Sequence, residues 1–379
     1  MTKIKFRAHN AGIGDCFSIK ENNKLYVVDG GNENRIIKDF VGETIVVCVV
    51  THNDRDHTHG ILKMLQEESK VTIEEIWLPG IWQPILDYIY NNPDVLSKLK
   101  KYTVVEDENN EKSKFELDYL VENTNQNLNL FFEVSDLKIQ YIELYRLHTE
   151  WIKHYPEKYF NTPNIDLNRI LGIFALALEK GCIIRFFFPS MTQTSTEINN
   201  YPFRMLNATE LVTIKKTSEK NFLQLLYLSK ENKFSLVFEY RHSQIPAILF
   251  TADSDLYFGN DQFTYNNEII VTAPHHGSES NKDAYTKISQ NMNITWVKSG
   301  GSMKCLTGAT FQKLNTYKNK FCSRCKTRNI ACNFNYKEII LEYKNSFWVP
   351  KVTESICLRN IGGIRRNKLN CIAKSNNPK

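Results

Sequence analysis

Two things are scarce in this sequence of 379 residues: histidine, with only nine, and long unbroken apolar runs. The most apolar stretch, residues 170 to 188, is interrupted by Glu179, Lys180 and Arg185, so no membrane-spanning segment is expected. Met1 to Arg7 carries positive charge, but no apolar core follows it as an export leader requires. The nine cysteines are odd in number and scattered, so reduced thiols in a cytoplasmic setting are the expectation rather than a disulfide framework. Charge of one sign is also modest. Lys and Arg total 48 against 42 Asp and Glu, a net +6 with pI near 8.6, which permits a nucleic-acid partner without demanding one. With 42% hydrophobic residues and no repeat, a chain of this length buries a core unaided.

What is present reads as strands punctuated by glycine turns. Ile4 and Phe6 alternate with polar residues and lead into Asn10-Ala11-Gly12-Ile13-Gly14-Asp15. Residues 16–20 and 24–28 are strands around the turn Glu21-Asn22-Asn23, and the second ends at Asp29-Gly30-Gly31. Residues 44–50 are rich in β-branched side chains, the pattern of a strand buried on both faces. Residues 60–65 have helical spacing. Residues 166–180 place Leu167, Ile170, Leu171, Phe174 and Leu178 on one helical face, and Gly181 ends that helix. Further strands are expected at 182–188, 211–214, 234–240, 247–250, 269–271, 294–297 and 338–343.

Three clusters of metal-ligand residue types follow directly on apolar strands. His52-Asn53-Asp54-Arg55-Asp56-His57 comes after the strand at 44–50, Asp253 after residues 247–250, and His275-His276 after residues 269–271. Imidazoles and carboxylates packed together are costly unless a cation neutralises and orders them. Each later cluster alone is weak, since one Asp after a strand is usually a turn former. Three such strand ends in a histidine-poor chain point to a metal site.

These motifs resemble the metallo-β-lactamase superfamily, and within it the soluble hydrolase domain of the competence protein ComEC. The glycine turn at residues 10–16, the Asp29-Gly30-Gly31 turn, the loop from Thr51 to Gly60, Thr251-Ala252-Asp253 and Pro274-His275-His276-Gly277-Ser278 occur in that family's order. The resemblance implies an α+β fold, an αββα four-layer sandwich with a long insertion. It places one hydrolase domain at 1–345, elaborated within about 85–230, and a partly frayed C-terminal extension at 346–379. It also implies two divalent metal ions, zinc or manganese. His52 and Asp54 would hold the first, Asp56, His57 and His275 the second, and Asp253 would bridge them. Asp56, Asp253 and His276 take the catalytic positions, with His276 in an outer shell or lining the substrate pocket. The family's further ligand between the signature loop and Asp253 has no histidine here, and Asn232 with Ser235 resembles an Asn-x-x-Ser pattern expected on that side. Asp15 and Asp29 are expected to fix their turns, Asp29 close enough to touch a ligand.

The function this implies is a metal-dependent hydrolase, foremost a phosphodiesterase or nuclease acting on nucleic acid or a nucleotide through a metal-bound hydroxide. A small-ester or lactone hydrolase, and a degenerate sensor or interaction module in bacterial defence, are the alternatives; a protein partner or a homo-oligomer fits the last. Ser278 is a candidate substrate contact. His59 either touches substrate or faces solvent near a helix start. Cys322-Ser323-Arg324-Cys325 with Cys332 and Cys305 has some zinc-knuckle character, but the outer spacings are irregular and buried, inert thiols are the expectation. Trp82 and residues 81–90 either line an active-site rim or pack in the core.

Overall fold

In the first strand, β1 (Ile4–Ala8), Ile4, Phe6 and Ala8 are buried while Lys5 and Arg7 point outward, the period-two pattern of a sheet with one face on a core. The computed structural model describes residues 3–66, 69–92, 165–190, 192–211, 217–218, 222, 225–226, 228–229, 232–258, 263–288, 293–300, 310–311, 314, 320–323, 338–344 and 347–350. Within them β1 is followed by β2 (Phe17–Glu21), β3 (Lys24–Val28), β4 (Thr44–Val49), β5 (Thr72–Pro79), β6 (Ile183–Pro189), β7 (Thr196–Glu197), β8 (Phe203–Met205) and β9 (Ala208–Glu210). Then come β10 (Phe238–His242), β11 (Ile245–Phe250), β12 (Ile269–Thr272), β13 (Ile294–Lys298), β14 (Lys320–Cys322), β15 (Ile339–Lys344) and β16 (Phe347–Pro350). The helices are α1 (Arg55–Leu65), α2 (Trp82–Asn91) and α3 (Ile165–Glu179).

The strands form two mixed sheets. The first has the order β16-β15-β1-β2-β3-β4-β5-β6-β9, the second β14-β13-β12-β11-β10-β8-β7. Phe6, Ile19, Val47 and Trp77 from the first meet Phe238, Ile248, Phe250 and Ile270 from the second in one buried cluster, so the sheets lie face to face. The other face of the first sheet buries Leu25, Val27, Ile76 and Leu78 under α1, α2 and α3. The outer face of the second sheet, with Leu249, Val271 and Trp296, is covered among the described residues by a 3-10 segment (Glu279–Lys287) and Phe311. Among the described residues no helix is long and apolar enough to cross a membrane.

Parallel pairing is what builds the site. β3, β4, β5 and β6 are parallel neighbours, as are β11, β12 and β13. The loops after β3, β4, β11 and β12 therefore emerge along one edge, where ligand sites of open parallel sheets form.

Several boundaries depart from the sequence expectations. The helix expected at 60–65 starts at Arg55, because Asp54 takes the extended N-cap conformation at φ −72° and Asp56 lies in the first turn. The strand at 211–214 lies instead at Ala208–Glu210, and residues 212–214 fall outside the described part. β5 and α2 were not anticipated. Trp82 is fully buried in the helix-side core, which settles it as packing. β16 pairs antiparallel with β15, so the first sheet continues past residue 345. Residues 93–164 of the expected insertion, the extension beyond 350, and Cys305, Cys325 and Cys332 lie outside the described residues; the Cys322 backbone belongs to β14.

Candidate metal centre

Four imidazoles and a buried carboxylate converge at the shared sheet edge. Asp253, on the loop after β11, is 1% exposed and presents its two oxygens to two different groups. Its Oδ1 lies 3.1 Å from His57 Nε2 and 3.6 Å from His276 Nε2. Its Oδ2 lies 3.4 Å from His275 Nε2 and 3.7 Å from His52 Nε2. Asp56 Oδ2 adds to the first group, 3.2 Å from His276 Nε2, and Asp54 Oδ2 to the second, 3.7 Å from His52 Nε2.

Every one of these histidines has its other ring nitrogen tied down. His57 Nδ1 donates to Asp29 Oδ2 at 2.7 Å, and His276 Nδ1 to Asp15 Oδ1 at 3.0 Å. His275 Nδ1 donates to Asn281 Oδ1 at 2.7 Å. Thr51 gives its hydroxyl proton to Asp29 Oδ2 at 2.7 Å, which leaves its oxygen to accept from His52 Nδ1 at 3.0 Å. A neutral imidazole whose Nδ1 carries the proton offers a lone pair at Nε2. All four lone pairs are therefore turned toward Asp253.

Local sequence explains how such crowding is held. Gly14, at φ +98°, passes so close to the signature helix that a Cβ there would fall 1.7 Å from the Asp56 carbonyl oxygen. Gly30 and Gly60 press together in the same way; a Cβ on Gly60 would stand 1.9 Å from the Gly30 carbonyl oxygen. Asp54 is at an N-cap yet makes no capping bond, its carboxylate facing His52 instead. His275 (φ 46°) and His276 (φ 51°) are both left-handed, a conformation unfavourable for non-glycine residues that clusters where function imposes it.

The donor set fits a cation. His57 Nε2 and His276 Nε2 face each other at 3.3 Å, where two lone pairs repel unless a proton or a metal lies between them. His52 Nε2, Asp253 Oδ1 and Asp15 Oδ2 are buried without a hydrogen-bond partner. The near approach of His57 to Asp253 Oδ1 thus lacks the direction of a hydrogen bond, as expected of two ligands aimed at a common point. Burial opposes charging of His57, but the Asp253 and Asp29 carboxylates outweigh it and raise its pKa well above the ordinary imidazole range. Burial likewise opposes charging of His276, and Asp15 and Asp253 push its pKa up to about 10. Burial alone would raise Asp253, yet His276 and His57 hold it well below the usual carboxylate range. Asp15 is raised, chiefly by burial. The centre as a whole demands positive charge.

Among the described residues three groups meet the spacing of a metal site: Asp15, His57, Asp253 and His276, then His52, Asp54 and Asp253, both in this centre, and His9, Asp39 and Glu338 away from it. His276 stands beside Asp56 and His57, the place expected for His275, while His275 stands across Asp253 on the side of His52. His276 thus faces Asp253 together with His275, because two successive left-handed residues send the two rings to opposite oxygens of that carboxylate. Asp15, read from sequence as a turn former, is buried against His276.

The remaining candidates lie outside the centre. His59 Nε2 contacts Asn34 Oδ1 at 2.8 Å in the second turn of α1, and its pKa is lowered by burial and then by Arg55, Lys63 and Arg169. Asn232 begins a 3-10 turn (Asn232–Phe234), and just after it Leu236 N donates to Thr51 O at 2.9 Å, at the start of the signature loop. Ser278 caps the next 3-10 segment, its oxygen accepting from Ser280 N. No protein-family model matches the chain, and no curated protein matches it.

Proposed function

We propose that the chain is a metal-dependent hydrolase of the αββα metallo-β-lactamase architecture that cleaves phosphodiesters of nucleic acid or nucleotides. The observation carrying this reading is Asp253, whose two oxygens each face a separate pair of Nε2 atoms. A carboxylate so placed is suited to bridge two cations. Five carboxylates, Asp15, Asp29, Asp54, Asp56 and Asp253, converge with four imidazoles, so up to five negative charges gather in one place, and two divalent ions would offset four of them. His57, His276, Asp56 and Asp253 would hold one ion, with His52, His275, Asp54 and Asp253 holding the other. So carboxylate-rich a set suits manganese as well as zinc. Bound there, divalent ions supply Lewis-acid charge and lower the pKa of water.

The protein's own groups divide into floor and mouth. His57, Asp253 and Asp15 are at most 2% exposed and form the floor. Asp54 at 40%, His275 at 30% and Asp56 at 24% are the open side, where substrate enters. Asp56 Oδ2 would orient an entering water by accepting a hydrogen bond from it. Its pKa is held below the usual carboxylate range by His276 and His57 against the opposing effect of burial, which keeps that oxygen ionised. A divalent centre with a single accessible face fits an in-line displacement at phosphorus, and the chain's net positive charge favours anionic substrates.

The test is elemental analysis of protein purified without chelators, followed by cleavage of DNA, RNA and cyclic dinucleotides with manganese or zinc. About two ions per chain and hydrolysis of at least one substrate are expected, with hydrolysis lost in Asp56→Ala/His57→Ala. Metal-free protein, or a loaded protein that cleaves no phosphodiester, overturns the reading.

A further inference from the structure

The signature helix carries a second pattern besides its ligands. On α1, Arg55, His59 and Lys63 are spaced four residues apart, so they form one file along the face opposite the buried Ile61, Met64 and Leu65. At about 1.5 Å rise per residue the file is roughly 12 Å long. It begins one residue before Asp56, at the mouth of the metal centre. α3 packs beside α1 and brings Arg169 into the same group, with Nε donating to Asn53 O at 2.9 Å. Arg55, Lys63 and Arg169 all bear electrostatically on the His59 ring.

A cation on an exposed helix face is commonly steadied by an acid three or four residues away. Here Arg55 and Lys63 make no ion pair among the described residues, and Lys63 Nζ instead donates to the neutral Gln66 Oε1 at 3.0 Å. The positive N-terminal end of α1 points toward the same mouth.

We infer that the Arg55–His59–Lys63 file, with Arg169, is a track for the backbone of a single nucleic-acid strand, so that the substrate is a polynucleotide rather than a mononucleotide. This rests on the phosphodiesterase reading for its consequence, though not for its test. A single file of charge matches one backbone, not the two of a duplex. Cations that meet phosphates supply affinity and register without reading sequence. A strand lying along α1 would deliver the next phosphodiester to the face framed by Asp54, Asp56 and His275.

Fluorescence anisotropy tests this on the full chain with its metals, using labelled thymidine phosphorothioates two and twelve nucleotides long and a neutral methylphosphonate twelve-mer. The wild type is expected to bind the charged twelve-mer at least about 10-fold more tightly than the dinucleotide, and the neutral one no better than the dinucleotide. Arg55→Gln/Lys63→Gln should erase that length dependence and reduce the slope of log affinity against log salt by about 0.7 per lost contact. Lys3→Gln/Lys24→Gln, an equal charge change on exposed lysines at the far end of the first sheet, should leave it intact. Length-independent binding by the wild type, or an unaltered salt slope in Arg55→Gln/Lys63→Gln, overturns the proposal. Length-dependent binding without cleavage under any metal would instead remove the phosphodiesterase reading and leave the track standing.

Discussion

Asp15 and His276 stand 261 residues apart in the chain and 3.0 Å apart in space, the carboxylate of the first glycine turn accepting from the ring of the last histidine. That contact fixes which nitrogen of His276 faces the centre. A carboxylate behind a metal-binding imidazole sets its tautomer and raises its basicity, and losing such a partner costs about 10–100-fold in metal affinity. Asp15→Asn keeps the shape but lets the ring choose either tautomer. We expect manganese or zinc affinity to fall within that range, measured by competition with a fluorescent chelator, while the far-ultraviolet circular dichroism is unchanged. Unaltered affinity would reduce Asp15 to a turn former.

The two adjacent histidines separate the two halves of the centre. His276 shares its side of Asp253 with His57 and Asp56, and His275 shares the other with His52 and Asp54. His276→Ala and His275→Ala are therefore each expected to retain about one ion per chain, whereas Asp253→Ala, which removes the shared carboxylate, should retain fewer than one. Elemental analysis after extensive dialysis measures this. Equal loss in His275→Ala and Asp253→Ala would mean that the two groups do not load independently.

How much of this was legible in the sequence follows from the range of each interaction. The signature loop, Asp253 and the paired histidines announce themselves because ligand types sit directly on strand ends, and strands such as β1, β4 and β12 show in their own periodicity. β7, with two residues, and β8 and β9, with three each, are too short for any period to register. That His275 and His276 face opposite oxygens of Asp253 is invisible, since it depends on two consecutive left-handed residues that no local propensity favours. Asp15 was visible as a residue but not as a partner, its contact lying 261 residues away in the chain. Asn281, which holds the His275 ring and donates to Asp253 O at 2.7 Å, gives no signal at all in the sequence.

His9 offers a pH dependence away from the metal residues. It is fully buried, with Nδ1 on Asp39 Oδ2 and Nε2 beside Ser18 Oγ, both at 2.8 Å. Burial outweighs Asp39 and lowers its pKa below the ordinary value of 6.5. A depressed folded pKa means that the unfolded chain takes up the proton first. The stability His9 confers is thus present above pH about 6.5 and lost progressively as pH falls below it. Urea unfolding of the wild type and His9→Gln at several pH values should show their difference shrinking between pH 7 and 5. A difference independent of pH would show that folding leaves the His9 pKa unshifted, and one that grows as pH falls would show that His9 stays charged in the fold.

Gly60 sets two effects of opposite sign against each other. It lies inside α1, where glycine costs about 1 kcal/mol relative to alanine, so Gly60→Ala should stabilise the helix if nothing else intervened. What intervenes is the Gly30 backbone, whose carbonyl oxygen would stand 1.9 Å from the new Cβ. No flexible side chain can yield there, since the obstacle is main chain that is itself tied by Gly30 N to His57 O and by Gly60 N to Gly31 O. Relief must come from shifting α1 away from the turn after β3, and overpacking of this kind costs about 1–3 kcal/mol. The clash should win, leaving Gly60→Ala less stable by about 1–2 kcal/mol in urea unfolding. The same shift carries His57 away from Asp29, so metal affinity should fall with stability. A variant as stable as the wild type with its metal affinity intact would show that α1 can move without disturbing the centre.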